Sequence, residues 1–311
     1  MKVVITGGAG FIGANLCRAL ADQPVDVVVI DDFSTGFKSN LAGLDVTLYE
    51  GSVLDRELLT EVCHGARSIV HLAASASVPR SIADPVGTSQ VNVTGTINVL
   101  EAAREHHAHV VVASSSSVYG TSPTLPKHEG LAVAPRSPYA ASKLAAESYA
   151  LAYQDVFGLE TLAFRFFNVY GPLQSAGHCY AAVVPTFVAA LAAGRPIPLH
   201  GDGLQTRDFT SVGAVAQVLA EAVARRVWHR GPVNLAFGSR TSLRALIALL
   251  EEVSGRAATI DRQPARPGDV RDSQADNSTL RRLFPQARSE PLRRGLDNTL
   301  KWFLETGGRQ E

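Results

Sequence analysis

Tyr139 and Lys143 lie four residues apart in the helix-like stretch Pro138-Tyr139-Ala140-Ala141-Ser142-Lys143, so both side chains leave one helical face, one turn apart. A phenol titrates near about 10, and a neighbouring ammonium favours its ionised form. That makes Tyr139 a candidate base for a hydroxyl proton. Such pairs arise by chance in many helices, so this one needs company. The run Ser114-Ser115-Ser116-Ser117-Val118-Tyr119-Gly120 supplies it. It begins where an apolar strand-like segment ends, at the edge where open parallel sheets collect ligands, and one of its hydroxyls can bridge Tyr139 and a substrate oxygen.

A third component stands at the start of the chain, where Val3-Val4-Ile5 runs into Thr6-Gly7-Gly8-Ala9-Gly10-Phe11-Ile12-Gly13. The spacing reads as a dinucleotide pyrophosphate site. Gly7 makes the tight turn, Gly10 lets the backbone approach the phosphates, and Gly13 lets the following helix, Ala14 to Ala21, pack against the sheet. A second apolar run, Val25 to Ile30, ends in Asp31 and Asp32 at the interval where such folds place the acid that bonds the adenosine ribose. A carboxylate at Asp31 repels a 2′-phosphate, which favours NAD over NADP, and Ser34 and Thr35 can take up the ribose edge. Hydride transfer to a nicotinamide ring, with Tyr139 removing the hydroxyl proton, is the chemistry these parts specify together.

The elements that must hold them follow a regular alternation. Strand-like runs at Val3 to Thr6, Val25 to Ile30, Val46 to Tyr49, Ser68 to His71, Val110 to Ala113 and Thr161 to Arg165 are separated by amphipathic helix-like segments. The pattern predicts an α/β, Rossmann-type doubly wound parallel sheet. A helical crossover is expected over Val86 to His106 and a helix over Pro138 to Phe157, each with a stripe of small residues of the kind that packs against a partner subunit. After Asn168 the rhythm changes to shorter helices, at Ala181 to Ala193, Val212 to Arg226, Ser242 to Ser254 and Arg293 to Glu305, among Gly, Pro and aromatic residues. This predicts an NAD-binding domain over 1–167 and, over 168–311, mainly a smaller α/β substrate lobe with some segments returning to the first domain.

Composition narrows the partners. The 311 residues carry 29 Lys and Arg against 29 Asp and Glu, so no global field draws nucleic acid or an anionic membrane, and an anionic substrate must be met by local cations. No apolar run reaches spanning length, and the opening strand, flanked only by Lys2, is not a secretory signal, so a cytoplasmic protein is expected. Cys17, Cys63 and Cys179 are widely spaced and read as free thiols. His106, His107 and His109 fall where a long helix is expected to end and suit its dipole without a metal; no metal site is expected. The end, Gly307 to Glu311, reads as a frayed tail.

Over nearly its whole length the chain resembles the extended short-chain dehydrogenase/reductases, specifically the NAD-dependent nucleotide-sugar epimerases and dehydratases. The motifs are TGGAGFIG at 6–13, DDFSTG at 31–36, HLAA at 71–74, NVTGT at 92–96, SSSSVYG at 114–120, YAASK at 139–143, RFFNVYGP at 165–172, RDF at 207–209 and RPGDV at 266–270. The resemblance implies that Ser115, four before Tyr119, is the catalytic serine beside Tyr139 and Lys143. It implies cofactor contacts from Gly7, Gly10, Phe11, Ile12 and Gly13, and from Asp31, Asp32, Ser34, Thr35 and Gly36. Further contacts are implied from Ser52 and Val53, from Leu72, Ala73 and Ala74, and from Asn92, Ser114 and Phe167. For the substrate it implies Ser115, Ser116, Asn168, Val183, Arg207, Arg266, Asp269 and Ser273, with the arginines on the diphosphate, where guanidinium groups bond bidentately. It also implies a homodimer.

Within that family, dehydratases carry an acidic pair just after the catalytic hydroxyl and decarboxylases an acid at the second place, to handle the sugar C5 proton; here those places hold Ser116 and Ser117. The expected reaction is therefore 4-epimerisation of a UDP-hexose through a 4-keto intermediate, with NAD regenerated each cycle. The small Ser273 and the segment Tyr180 to Pro185 favour UDP-GlcNAc/UDP-GalNAc, with UDP-glucose/UDP-galactose also accepted. UDP-glucuronate 4-epimerisation and C4 reduction of a nucleotide sugar are the alternatives, and a non-catalytic NAD sensor is disfavoured by the complete catalytic set. Two departures stand out: Ser52 replaces an aspartate near the adenine, and Gly213-Ala214 replace an acidic pair after RDF.

Overall fold

The computed structural model describes residues 1–176, 182–265 and 270–308. β1 (Lys2–Thr6) turns through the glycines into α1 (Phe11–Leu20), followed by β2 (Asp26–Asp31), β3 (Thr47–Glu50), α2 (Arg56–Cys63) and β4 (Ser68–His71). Two short helices, α3 (Val78–Ala83) and α4 (Pro85–Ser89), precede α5 (Gly95–Glu105), β5 (His109–Ser115), α6 (Pro138–Phe157) and β6 (Thr161–Phe166). Then come β7 (Asn168–Tyr170), α7 (Val183–Ala192), β8 (Ile197–His200), β9 (Thr206–Arg207), β10 (Phe209–Ser211), α8 (Val212–Arg225) and β11 (Val233–Leu235). β12 (Thr241–Ser242), α9 (Leu243–Ser254), β13 (Ile260–Gln263), α10 (Ser278–Leu283) and α11 (Leu292–Thr306) complete the chain.

Seven strands form one parallel sheet in the order β11-β6-β5-β4-β1-β2-β3. The order runs outward from β1 in both directions, so a crevice opens beyond the carboxyl ends of β1 and β4, where doubly wound sheets take their ligands. Burial of the strands on both faces explains their near-continuous apolar runs: β4 and β6 are buried at every residue, β5 at all but Ser115. The two faces carry separate cores, one including Leu16, Leu20, Leu219 and Phe284, the other Leu59, Leu100 and Tyr153. A third core, around Phe187, Leu246 and Leu296, belongs to the segments after β7. These carry three two-stranded sheets: β7 with β10, β9 with β12, and β8 with β13.

α6 has the boundaries that its sequence spells. Ser137 accepts a hydrogen bond from Ala140 N at 3.1 Å, Pro138 opens the first turn, and Gly158 closes it at φ 67°. Elsewhere the structure corrects the expectations. The crossover expected as one helix from Val86 is α4, a π-helical turn over Gln90–Thr94, and α5. The wide turn sets Asn92 inward, where its side chain serves the loop after β4 rather than the helix face. His109 is not at a helix end but is the first residue of β5, fully buried. The seventh strand, β11, has only three residues, Val-Asn-Leu, too few for a pattern to announce it. Through β11 and α8, whose Leu219 and Val223 share the α1 core, residues beyond 168 complete the large sheet's layers.

His71 and His109 make the fold acid-sensitive. Burial pushes the His71 pKa down to about 3, with the Lys143 ammonium adding to the effect, and burial pushes that of His109 to about 4. Both are neutral in the folded protein near pH 5, whereas an unfolded histidine takes up its proton around 6.5. Below 6.5 the unfolded chain therefore binds two more protons, and stability falls with acid at a rate approaching about 2.7 kcal/mol per pH unit, twice the single-proton slope. Urea unfolding at pH 6.5 and 5 should show this loss, and His109→Asn should halve its slope.

Candidate active site

The turn after β1 admits only glycine at two positions. Gly7 has φ +70°, and a Cβ there would sit 2.7 Å from Ala73 N; at Gly13 a Cβ would sit 2.3 Å from Gly7 O. The loops after β1 and β4 and the start of α1 thus press together backbone to backbone. Gly10 differs, since the one neighbour its Cβ would meet is Gly7 O at 3.2 Å, and it borders an open cleft instead. Asp31 ties this turn to the one after β2: one carboxylate oxygen accepts from Ala9 N and the other from Phe33 N, both at 2.9 Å. Burial raises its pKa against those hydrogen bonds.

A directed hydrogen-bond chain runs beneath the cleft. Thr96 Oγ1 donates to the Asn92 carbonyl at 2.6 Å, so toward His71 it can only accept, and the His71 proton lies on Nε2. His71 Nδ1 then accepts from Thr6 Oγ1 at 2.7 Å, and Thr6 Oγ1 accepts from Ala73 N at 3.2 Å. The Asn92 side chain accepts from Ser75 N at 2.7 Å and donates to Ser142 Oγ at 2.9 Å, joining the loop after β4 to α6. Asn92 therefore supports the cleft wall and does not line it.

The cleft has a volume of about 690 Å³ and runs from the glycine turn to the end of β5. Of the residues expected at a cofactor, it is walled by Gly7, Gly10, Phe11, Ile12, Gly13, Asp31, Asp32, Ser34, Thr35, Val53, Leu72, Ala73, Ala74, Ser114, Tyr139, Lys143 and Phe167. Gly36 packs beneath it, where a Cβ would lie 2.9 Å from Asp31 Oδ1. Ser52 is turned to Leu54 N, which donates to its hydroxyl at 3.2 Å, and its neighbours Gly51 and Val53 form the wall instead.

Ser115, Tyr139 and Lys143 converge in this cleft. The Lys143 ammonium donates to Ala113 O at 2.9 Å. Burial raises the Tyr139 phenol, and a hydrogen bond from Ser115 opposes that rise. No lowering by Lys143 enters beside these two causes, its ammonium being turned to the Ala113 carbonyl. Burial also lowers the Lys143 pKa from 10.5 to about 8. Below pH 8 the folded and unfolded states are both charged and the burial penalty is fully present. Between about 8 and 10.5 the unfolded chain holds the extra proton, so stability rises with pH by up to about 3 kcal/mol. Lys143→Met should therefore stabilise the fold at pH 7, by an advantage that shrinks toward pH 10.5 in paired denaturant titrations.

A second cavity of about 320 Å³ adjoins the cleft, sharing Ala76, Ser77, Val169, Gln174 and Ala182 with it, and is walled by Asn168, Val183, Arg207, Gln205 and His200. Arg207 donates to the Thr206 and Arg271 carbonyls. Beside it Asp208, fully buried, accepts from Gly238 N, Ser239 N, Ser239 Oγ and Ala275 N at 2.8–3.1 Å, binding the β9–β10 segment to the loops around it. Ser116 and Ser273 wall neither cavity, and Ser273 N donates to Thr206 O at 3.1 Å. Arg266 and Asp269, like Cys179 and Tyr180, lie outside the described residues.

Gln174, which sequence reasoning missed, stands where the two cavities meet. Its Nε2 donates to Val169 O at 3.2 Å, while its buried Oε1 has no partner among the described residues. Arg80 and Asp84 also line the cleft unforeseen. Among the described residues no three His, Cys, Asp or Glu side chains cluster as metal ligands, and no helix is long and apolar enough to cross a membrane.

Residues 3–236 match the model of the NAD dependent epimerase/dehydratase family. A UDP-glucose 4-epimerase of Mycolicibacterium smegmatis is 35% identical over 97% of this chain and 98% of its own. Among solved structures, a UDP-N-acetylglucosamine 4-epimerase from Methanobrevibacter ruminantium, in complex with UDP-N-acetylmuramic acid, superposes with a TM-score of 0.94 at 33% identity, covering 98% of both chains. A dTDP-glucose 4,6-dehydratase from Streptomyces venezuelae, with NAD bound, reaches 0.89 at 30% identity over 99% of this chain and 98% of that one. With the glycine turn, Asp31 and the Ser115-Tyr139-Lys143 set around one cleft, and with these likenesses spanning nearly its full length, the chain belongs to the NAD-dependent epimerase/dehydratase family of nucleotide-sugar enzymes.

Proposed function

We propose that this protein is an NAD-dependent UDP-hexose 4-epimerase that inverts C4 through a 4-keto intermediate, with UDP-GlcNAc/UDP-GalNAc as its favoured pair and UDP-glucose/UDP-galactose also turned over. One observation carries the reading: Ser115, Tyr139 and Lys143 meet in one cleft while Ser116 and Ser117, hydroxyls and not carboxylates, occupy the places that would handle a C5 proton. Without those acids the site is equipped to oxidise C4 and to return the hydride to the other face.

The residues fit NAD. Phe11, Ile12 and Gly13, the opening residues of α1, line the cleft where a pyrophosphate would meet a helix start, and Asp31 and Asp32 line it on the side that would take a ribose. When bound, NAD supplies the hydride acceptor and a positive ring that favours the Tyr139 phenolate. Phe167 would flank that ring and Lys143 would hold the nicotinamide ribose side, while Ser115 would hold the reacting hydroxyl and Tyr139 take its proton. Asn168, Val183 and Arg207 receive the UDP moiety in the second cavity, with Arg266 and Asp269 assigned to its diphosphate and ribose. Ser273 walls neither cavity, so the sugar preference is carried by the likeness to a structure described in complex with UDP-N-acetylmuramic acid.

We propose a homodimer through the crossover over Val86 to His106 and through α6, where Val86 is 66% and Val156 71% exposed. The test of the function is direct. Purified protein without added NAD is incubated separately with UDP-GlcNAc, UDP-glucose and UDP-glucuronate, and C4 inversion is followed by proton NMR. Conversion without net NADH supports the reading, and the fastest substrate identifies the sugar. No inversion of any of the three, even with NAD added, overturns it.

A further inference from the structure

Arg80 brings to the cleft a charge that no group among the described residues pairs with. The charged residues lining the cleft are Asp31, Asp32, Asp84, Lys143 and Arg80, three acids against two cations. The other four are engaged: Asp31 accepts from Ala9 N and Phe33 N, Asp32 from Ser34 N at 3.0 Å, Asp84 from Gly87 N at 2.9 Å, and Lys143 donates to Ala113 O. Arg80 is exposed, and its guanidinium has neither a hydrogen-bond nor an ion-pair partner among the described residues. Its backbone is nevertheless fixed. Ser77 caps α3, its hydroxyl accepting from Arg80 N at 3.3 Å, and the fully buried Ser81 accepts from Tyr139 N at 3.0 Å while donating to Val78 O at 2.6 Å. A free cation is thus anchored beside the start of α6, next to the catalytic tyrosine. A pyrophosphate adds negative charge to a cleft whose acids already outnumber its cations, and the start of α1 offers it only the partial charge of a helix end. A guanidinium suits that deficit, since it bonds two phosphate oxygens at once.

We propose that Arg80 is a cofactor-binding residue: its guanidinium pairs with the pyrophosphate of the dinucleotide in the cleft and holds the cofactor there between the two hydride transfers. The inference deepens the proposed function and rests on its NAD assignment. The choice of anion follows from position, because Arg80 lines the first cleft and not the second cavity, where the UDP moiety is assigned. Retention has a chemical purpose in an epimerase. The hydride taken from C4 returns from the same nicotinamide, so a cofactor lost in its reduced form leaves the sugar as the ketone.

The test uses protein loaded with radiolabelled NAD and titrated with unlabelled NAD, ADP-ribose or adenosine, which yields a dissociation constant for each without turnover. Arg80→Met should weaken NAD and ADP-ribose by about tenfold, the scale of one hydrogen bond to a charged group, and leave adenosine, which has no phosphate, unchanged. The parent's NAD affinity should fall with added salt more steeply than the variant's. Arg80→Lys, which keeps the charge, should recover most of the loss, and Arg80→Gln should not. Unchanged NAD affinity in Arg80→Met overturns the proposal, as does an equal loss for adenosine, which would mark a change of shape. Weaker binding of UDP to the loaded variant, with NAD unaltered, would move Arg80 to the substrate and overturn it too. If Arg80→Met does not fold, the glutamine and lysine variants decide alone. A parent that binds no NAD overturns the cofactor assignment and this proposal together, whereas one that binds NAD but epimerises nothing overturns the reaction alone and leaves these constants to judge Arg80.

Discussion

Tyr139→Phe lowers kcat for C4 inversion by about 10³-fold, within the range that one positioned acid–base group supplies, while KM changes little and NAD still binds. The phenyl ring keeps the shape of the wall, and the Tyr139 backbone N–H, which donates to Ser81 Oγ at 3.0 Å, is untouched, so the variant should fold as the parent does. What it loses is the acceptor for the C4 hydroxyl proton. Lys143 cannot replace it, because its ammonium is directed at the Ala113 carbonyl, and a neutral Ser115 hydroxyl is too weak a base. The pH profile provides the control. Burial raises the Tyr139 phenol, so the parent rate should climb with pH until the phenol ionises, and the residual rate of Tyr139→Phe should lack that limb. Turnover that survives unchanged would remove Tyr139 from the base role altogether.

The parts of this site that were legible in the sequence are those for which local geometry permits only one residue type. Gly7 and Gly13 are readable because a Cβ at either would collide with backbone, and α6 is readable because Ser137-Pro138 and Gly158 satisfy its ends. The buried parallel strands announce themselves as apolar runs. What stayed hidden depends on tertiary partners. β11 is three residues long and is held to β6, and its Asn234 is buried by accepting from Tyr119 and donating to the Lys127 and Asp276 carbonyls. The π turn at Asn92 follows from that side chain's bonds to Ser75 and Ser142, which lie far from it in sequence. Gln174 has no periodicity to mark it, since its significance is the meeting of two cavities. Ser273, which a motif position suggested for a sugar contact, walls neither cavity, and its backbone N–H pairs with Thr206 O.

Glu147→Ala is expected to cost about 3–5 kcal/mol, the range for breaking a buried ion pair from one side, and to lower Tm by roughly 6–15 °C. Glu147 follows Lys143 by one further turn of α6, and its carboxylate is buried against Arg165 on β6. Arg165 Nη2 donates to Oε1 at 2.6 Å and Nε to Oε2 at 2.9 Å, with both side chains under 5% exposed. The same Oε2 accepts from Ser114 Oγ at 2.6 Å, so the pair also fastens the residue next to Ser115. Without the carboxylate, the guanidinium retains, among the described residues, the Glu129 carbonyl at 3.5 Å and the face of the Tyr119 ring at 4.7 Å, too little for a charge in that setting. Removing both charges is a different matter. Glu147→Leu with Arg165→Met buries apolar side chains in their place, and should recover most of the loss, less about 1–3 kcal/mol for the Ser114 hydroxyl left without an acceptor. Adding Ser114→Ala to that pair should recover part of this remainder. Chemical denaturation of the single, double and triple variants separates these contributions, and a Glu147→Ala loss below about 1 kcal/mol would show that water reaches the guanidinium and that the pair does not hold β6 against α6.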